Sequence, residues 1–303
     1  MLEKLKANIL FEVLMKRHNI DKAYKMVGPE DSWYDTITTV HNSLAEIKQL
    51  PHEDWKITSH DGLALKGVYY PGCSDQTVIW VHGYTSHAER ESAYPGLFYH
   101  SLGFNVLVPY LRAHGPSQGK YLSFGPMENQ DMLQWVDLVN ERHPNGQILI
   151  HGLSMGGGIV LDLATMDMKN VMCLLADAPS PSVPEFFKAV TYGTFKNGQE
   201  KILGHLRDRF QKEFSADPAD YDRVENICRC KYPLLLTAGS NENMNEILDA
   251  IKVRNPKPTT VLILPGCNHG NGMYKQTQMY QTAIRGFIDR HMKSDLSYKQ
   301  EIT

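Results

Sequence analysis

Between residues 147 and 164 the chain runs from Gln147-Ile148-Leu149-Ile150-His151 through Gly152-Leu153-Ser154-Met155-Gly156 into Gly157-Gly158-Ile159-Val160-Leu161-Asp162-Leu163-Ala164. The first part reads as a buried β-strand and the last as a helix packed on a sheet. Strand, G-x-S-x-G and helix in that order demand a turn too sharp for side chains at the flanking positions. Such a turn lifts the central serine hydroxyl out at the top of a sheet. It also places the N–H groups and dipole of the following helix beside any negative charge that develops there.

The chain contains its own control. Gly115-Pro116-Ser117-Gln118-Gly119 has the same spacing and follows the apolar run Asn105–Pro109. Pro116 and Gly119-Lys120-Tyr121 read as loop, with no helix opening at the serine. Ser117 is therefore assigned to a loop and Ser154 to chemistry.

Around this feature the chain alternates short apolar strands with helices. Trp55–Ser59 and Leu63–Tyr70, separated by a turn at His60-Asp61-Gly62, form a hairpin signal. Strands follow at Thr77–His82, Asn105–Pro109, Gln147–His151, Val171–Ala176, Pro233–Ala238 and Thr259–Leu264. Helical patterns fill Glu89–Leu102 in part, Asn129–Arg142 and Gln278–Met292. The pattern predicts an α/β fold with a mostly parallel sheet covered on both faces. Ligands of such sheets bind beyond the carboxyl ends of the strands. His82, Ser154 and Glu242 all fall just after strands, at that rim.

Residues 1–50 read as a mostly helical N-terminal extension, and residues 51–180 with 231–303 as the core. The stretch 181–230 is too long for a structureless loop in a compact domain. Its helical patterns at Val183–Val190 and Glu200–Phe214 predict a helical cap inserted over the sheet rim. Phe186, Phe187, Tyr192 and Phe195 are candidates to line a pocket there, or else to hold the cap to the body.

Apolar residues make up 42% of the 303 and charged residues 21%, enough for a substantial core. A formal net charge of -3 argues against a general nucleic-acid binder. The five cysteines are scattered and odd in number, which predicts a reducing, cytoplasmic setting without a disulfide framework. Cys228-Arg229-Cys230 has no second pair at zinc-site spacing, so no metal is expected. No apolar run has the length of a membrane span. The N-terminus reads as an amphipathic helix, with Leu2, Leu5, Ile9, Val13 and Leu14 as the face docked on the domain.

A serine hydroxyl needs a base within reach, and the base needs an acid to fix its tautomer. With this elbow the chain order is serine, acid, histidine. Of the later histidines, His205 lies in the cap and His291 near the end of the last helix. His269 sits in the glycine-rich loop Pro265–Gly272 directly after a strand, and is the candidate base. Glu242, the first carboxylate after the strand Pro233–Ala238, is the candidate acid. Asp177 is the alternative, and Asp249 is less well placed. The N–H groups of Met155 and of Tyr84, in His82-Gly83-Tyr84-Thr85, are the candidate oxyanion donors.

Taken together, His82-Gly83-Tyr84, Arg112-Ala-His-Gly-Pro-Ser-Gln-Gly119, Gly152-Leu-Ser-Met-Gly156 and His269-Gly270 resemble the α/β-hydrolase superfamily over about residues 52–292. Within it the chain is similar to bacterial serine hydrolases related to monoacylglycerol lipases and serine aminopeptidases. The resemblance implies an α/β-hydrolase fold with an eight-stranded sheet, no cofactor, and hydrolysis of an ester or related acyl bond. That group usually has aspartate where this chain has Glu242, one methylene longer. It often has an acidic residue where this chain has Tyr110. The expected function is a carboxylesterase acting on a small-molecule acyl ester. Peptidase, amidase or acyltransferase activity is the alternative on the same fold, and a catalytically silent binding protein the alternative from another class. Oligomeric state stays open, a homodimer included.

Overall fold

The computed structural model describes residues 1–18, 31 and 33–293. Its centre is one eight-stranded sheet: β1 Glu53–Thr58, β2 Ala64–Tyr70, β3 Thr77–Val81, β4 Asn105–Pro109, β5 Ile148–Leu153, β6 Val171–Asp177, β7 Leu234–Gly239 and β8 Thr259–Leu264. The strand order is β1-β2-β4-β3-β5-β6-β7-β8. β1 and β2 form an antiparallel hairpin, and β2 pairs antiparallel with β4. From β4 to β8 every neighbour is parallel. This is the α/β-hydrolase architecture that the sequence pattern and resemblance led us to expect.

The helices are α1 Leu2–Met15, α2 Ile37–Ile47, α3 Ala88–Ser101, α4 Pro126–Arg142, α5 Met155–Leu163, α6 Val183–Thr194, α7 Gln199–Phe214, α8 Arg223–Asn226, α9 Asn245–Arg254, α10 Gly272–Lys275 and α11 Thr277–His291. Strands β3 to β7 are buried along almost their whole length because both faces are covered. Ile79, Ile150 and Leu174 point to the face packed by α4, α5 and α9. Their neighbours Val78, Leu149 and Cys173 point to the face packed by α2, α3 and α11.

The expectation of a mostly helical segment over 1–50 falls in part on residues 19–30 and 32, outside the described residues. On either side stand α1 and α2. The docked face of α1 differs from the expected one. Leu2, Leu5, Ile9 and Val13 are more than half exposed, and Ala7, Leu10, Phe11, Leu14 and Met15 are buried. The helix carries two apolar stripes, and helical spacing fits both. The stripe that docks brings the aromatic ring: Phe11 packs edge-on to Tyr121 and against Phe214 of α7, with the Arg209 guanidinium over its face. Glu12 then closes the contact, accepting from Tyr121 Oη at 2.6 Å and Arg209 at 2.9 Å.

Between β6 and β7 the chain leaves the sheet for α6, α7 and α8 and returns. Arg223 of α8 fixes this insertion to the body. Its buried guanidinium donates to both Asp162 carboxylate oxygens at 2.9 Å and to the carbonyls of Ser180 and Phe124. No helix among the described residues is long and apolar enough to cross a membrane.

Candidate active site

Ser154 sits between the end of β5 and the first residue of α5, with φ 58° and ψ -114°. That conformation is unfavourable for a residue with a side chain and costs about 1–3 kcal/mol, which the packing around it must hold. The two flanking glycines show what holds it. A Cβ on Gly152 would stand 2.3 Å from the Gly156 carbonyl oxygen, and one on Gly156 would stand 1.9 Å from that of Val81. The turn closes only because both are absent. Inside helix α5 the first hydrogen bond runs from Gly158 N–H to the Ser154 carbonyl at 2.9 Å. The Met155, Gly156 and Gly157 N–H groups precede it and have no partner in the helix ladder.

Three sequence candidates meet here. Ser154 Oγ lies 2.8 Å from His269 Nε2. His269 Nδ1 lies 2.5 Å from Glu242 Oε2. Glu242 Oε1 accepts from the Gly239 N–H at 2.7 Å, which orients the carboxylate toward the ring. Glu242 lies in a single tight turn, Ser240–Glu242, directly after β7. With both partners fixed, the neutral ring carries its proton on Nδ1, and Nε2 is free to accept from the serine. The hydrogen bond that His269 donates to the Glu242 carboxylate raises the imidazole above its ordinary value, against the lowering effect of burial.

Asp177, the alternative acid, is placed elsewhere. Its side chain is buried and accepts from Tyr280 Oη at 2.8 Å, while its backbone carbonyl accepts from the Ser154 N–H. Burial pushes its carboxyl up. Asp177 thus braces the elbow from beneath, and the carboxylate on His269 is Glu242.

The second G-x-S-x-G differs in the same terms. Ser117 is buried, its Oγ donating to the Tyr110 carbonyl at 2.6 Å and accepting from Lys66 N–H at 2.9 Å.

A cavity of about 610 Å³ opens over Ser154 and His269. Its apolar wall comes from Trp33, Val40, Leu153 and Tyr274, and its polar wall from Arg90 and Glu91, with Tyr84 beside the serine. The aromatics expected to line it do not. Phe187 is buried against Phe210 of α7, and Tyr192 is exposed and bonded to Glu200. Phe186 packs at a tilt against Phe124, which in turn packs on Tyr84. Of these rings Phe186 reaches the body, while Phe187 and Tyr192 make contacts within the insertion; the wall is supplied by residues before β1, by Leu153 of β5 and by α3 and α10. Trp33 reaches the site by packing edge-on to Tyr274 at 5.6 Å. Nothing in the local spacing around Trp33 announces that position.

The serine aminopeptidase family S33 matches residues 72–220. The uncharacterized protein YqkD of Bacillus subtilis is 36% identical over 261 residues, which span 82% of this chain and 83% of that protein. The multifunctional-autoprocessing repeats-in-toxin of Vibrio vulnificus is 31% identical over 188 residues, 59% of this chain but only 3% of the toxin. Among solved structures, the Pyrococcus furiosus esterase Pf2001 superposes with a TM-score of 0.65 over 89% of this chain and 97% of that one, at 24% identity. At that identity the likeness shows the shared fold.

Proposed function

Since the chain belongs to the α/β-hydrolase superfamily, we propose that it is a serine hydrolase of carboxylic esters. Ser154 is the nucleophile, His269 the base and Glu242 the acid that orients it. The observation that carries this reading is the unbroken file Ser154 Oγ, His269 Nε2, His269 Nδ1, Glu242 Oε2, with contacts of 2.8 Å and 2.5 Å.

Ser154 Oγ attacks the ester carbonyl carbon while His269 Nε2 takes its proton. The carbonyl oxygen becomes an oxyanion, and the N–H groups of Tyr84 and Met155 hold it. Collapse breaks the C–O bond to the alcohol, which leaves with the proton from His269. Water then attacks the acyl-enzyme with His269 again as base, releasing the acid and the free serine. The segment 181–230 acts as a cap whose packing, through Phe186 and Phe124, supports Tyr84. The five cysteines are free, which fits a reducing compartment, and we place the enzyme in the cytoplasm.

A panel of p-nitrophenyl esters against aminoacyl anilides tests the reaction class. The expected result is a kcat/KM at least about a hundredfold higher on the esters. Preference for the anilides would make the chain a peptidase, as the name of the matching family suggests.

The acid is tested by two substitutions. Glu242→Gln should lower kcat about 10³- to 10⁴-fold, as expected when the residue on Nδ1 can no longer fix the productive tautomer. Asp177→Asn should stay within about tenfold of wild type. The base works only when neutral, so a raised imidazole moves the acid limb of the kcat/KM profile to higher pH. The wild-type limb should lie above the ordinary histidine value of about 6.5, and Glu242→Gln should move it down.

A further inference from the structure

The backbone of the proposed oxyanion loop is held from two sides. The Gly83 carbonyl accepts from His82 Nδ1 at 2.9 Å, while His82 Nε2 accepts from Leu111 N–H at 3.1 Å. That pairing needs a neutral ring, and burial keeps the imidazole well below its ordinary value. In a trans peptide the N–H points opposite to the C=O. The Gly83 carbonyl therefore sets the direction of the Tyr84 N–H.

The preceding peptide is held by Glu91, in the first turn of α3. The Gly83 N–H lies 3.1 Å from each Glu91 carboxylate oxygen. Oε1 also accepts from Trp80 Nε1 at 3.0 Å, and the Ser86 hydroxyl bonds the same carboxylate. A methyl group on Gly83 would stand 3.2 Å from Glu91 Oε2 and 3.4 Å from Ser154 Cβ. The carboxylate and the serine thus flank one glycine. Desolvation pushes the Glu91 carboxyl up to about 7. An ionised group there costs free energy, and the three donors gathered on it offset that cost.

We propose that Glu91 is a positioning residue: by gathering the Trp80, Gly83 and Ser86 donors it fixes the turn that presents the Tyr84 N–H to the oxyanion formed at Ser154. The inference rests on the serine-hydrolase reading above.

Glu91→Gln tests it. The amide keeps the size of the side chain; with its oxygen in the Oε1 place it still accepts from Trp80, while its NH₂ takes the Oε2 place and faces the Gly83 N–H, donor against donor. With a p-nitrophenyl ester, kcat should fall about 10- to 100-fold while KM stays within about twofold, somewhat less than loss of a whole oxyanion donor. The preference for the ester over the matching thionoester should shrink about tenfold, because a sulfur anion gains less from an aligned N–H. A role confined to folding would lower the melting temperature and leave that preference at the wild-type value. Wild-type kcat and preference in the variant overturn the proposal. If Glu91→Gln does not melt cooperatively, Ser86→Ala carries the same test: a smaller fall in kcat and preference supports it, and an unchanged preference overturns it. Wild-type protein that turns over no ester speaks against the serine-hydrolase reading. Active wild type matched by the variants overturns the role of Glu91 alone.

Discussion

Ser154→Ala is expected to lower kcat/KM on esters by at least about 10⁴-fold, roughly 5.5 kcal/mol of transition-state stabilisation. The lost atom is the one proposed to form the acyl bond, and among the described residues no other hydroxyl stands on His269 Nε2 to replace it. The melting temperature should change by no more than about 2 °C, because the side chain contributes only the hydrogen bond to His269. Ser117→Ala should show the reverse pattern. Its hydroxyl is buried and bonded at 2.6 and 2.9 Å to backbone groups, so its loss leaves them unsatisfied at about 1–3 kcal/mol. Turnover should persist. Thermal melts and ester kinetics on the two variants separate the serine that reacts from the serine that ties a loop.

Among the described glycines, Gly156→Ala should be the most damaging substitution. The added carbon would lie 1.9 Å from the Val81 carbonyl oxygen and 2.6 Å from its carbon. Both obstacles are backbone of β3, so relief requires either the strand or the elbow to move. β3 leads directly into His82-Gly83-Tyr84, and the elbow carries Ser154. The strain therefore falls on the proposed nucleophile and the proposed oxyanion loop together. We expect a loss of about 3 kcal/mol or more, a melting temperature lower by roughly 10 °C, and kcat/KM down at least about a hundredfold in whatever folds. Gly193→Ala provides the contrast. A Cβ there meets nothing within 4 Å, and alanine in a helix is favoured over glycine by about 0.5–1 kcal/mol. That variant should be as stable as wild type or more so. Equal stability of the two variants would contradict the steric account of the elbow.

The parts of the molecule that could be read from the sequence are those set by local rules. Alternating apolar strands and helices announced a parallel sheet, and the β5–α5 turn announced itself through two glycines that no other residue type can replace. His269 followed from chain order and from a loop flexible enough to bring its ring back to the rim. Glu242 was legible as the first carboxylate after β7, in the tight turn Ser240–Glu242. The cavity over Ser154 was not legible, because its walls are assembled by packing between distant segments. Trp33 stands before β1 in sequence, yet it packs on Tyr274, more than two hundred residues later. The same limit applied to α1, where two apolar stripes share one spacing and only the partner surface of Tyr121 and Phe214 selects between them. Phe186 and Phe187 fit the composition of a pocket lining equally well as that of a buried attachment. Glu91 gave no signal, since a carboxylate in the first turn of a helix is ordinary, and its meaning depends on which loop it faces.

The most direct measurement is the mass of the intact protein after reaction with a fluorophosphonate, followed by peptide mapping of the adduct. The account predicts one adduct per chain on Ser154, none in Ser154→Ala, and labelling slowed at least about a hundredfold in His269→Ala. An adduct on Ser117 or another residue, or full-rate labelling of Ser154 without His269, would contradict it.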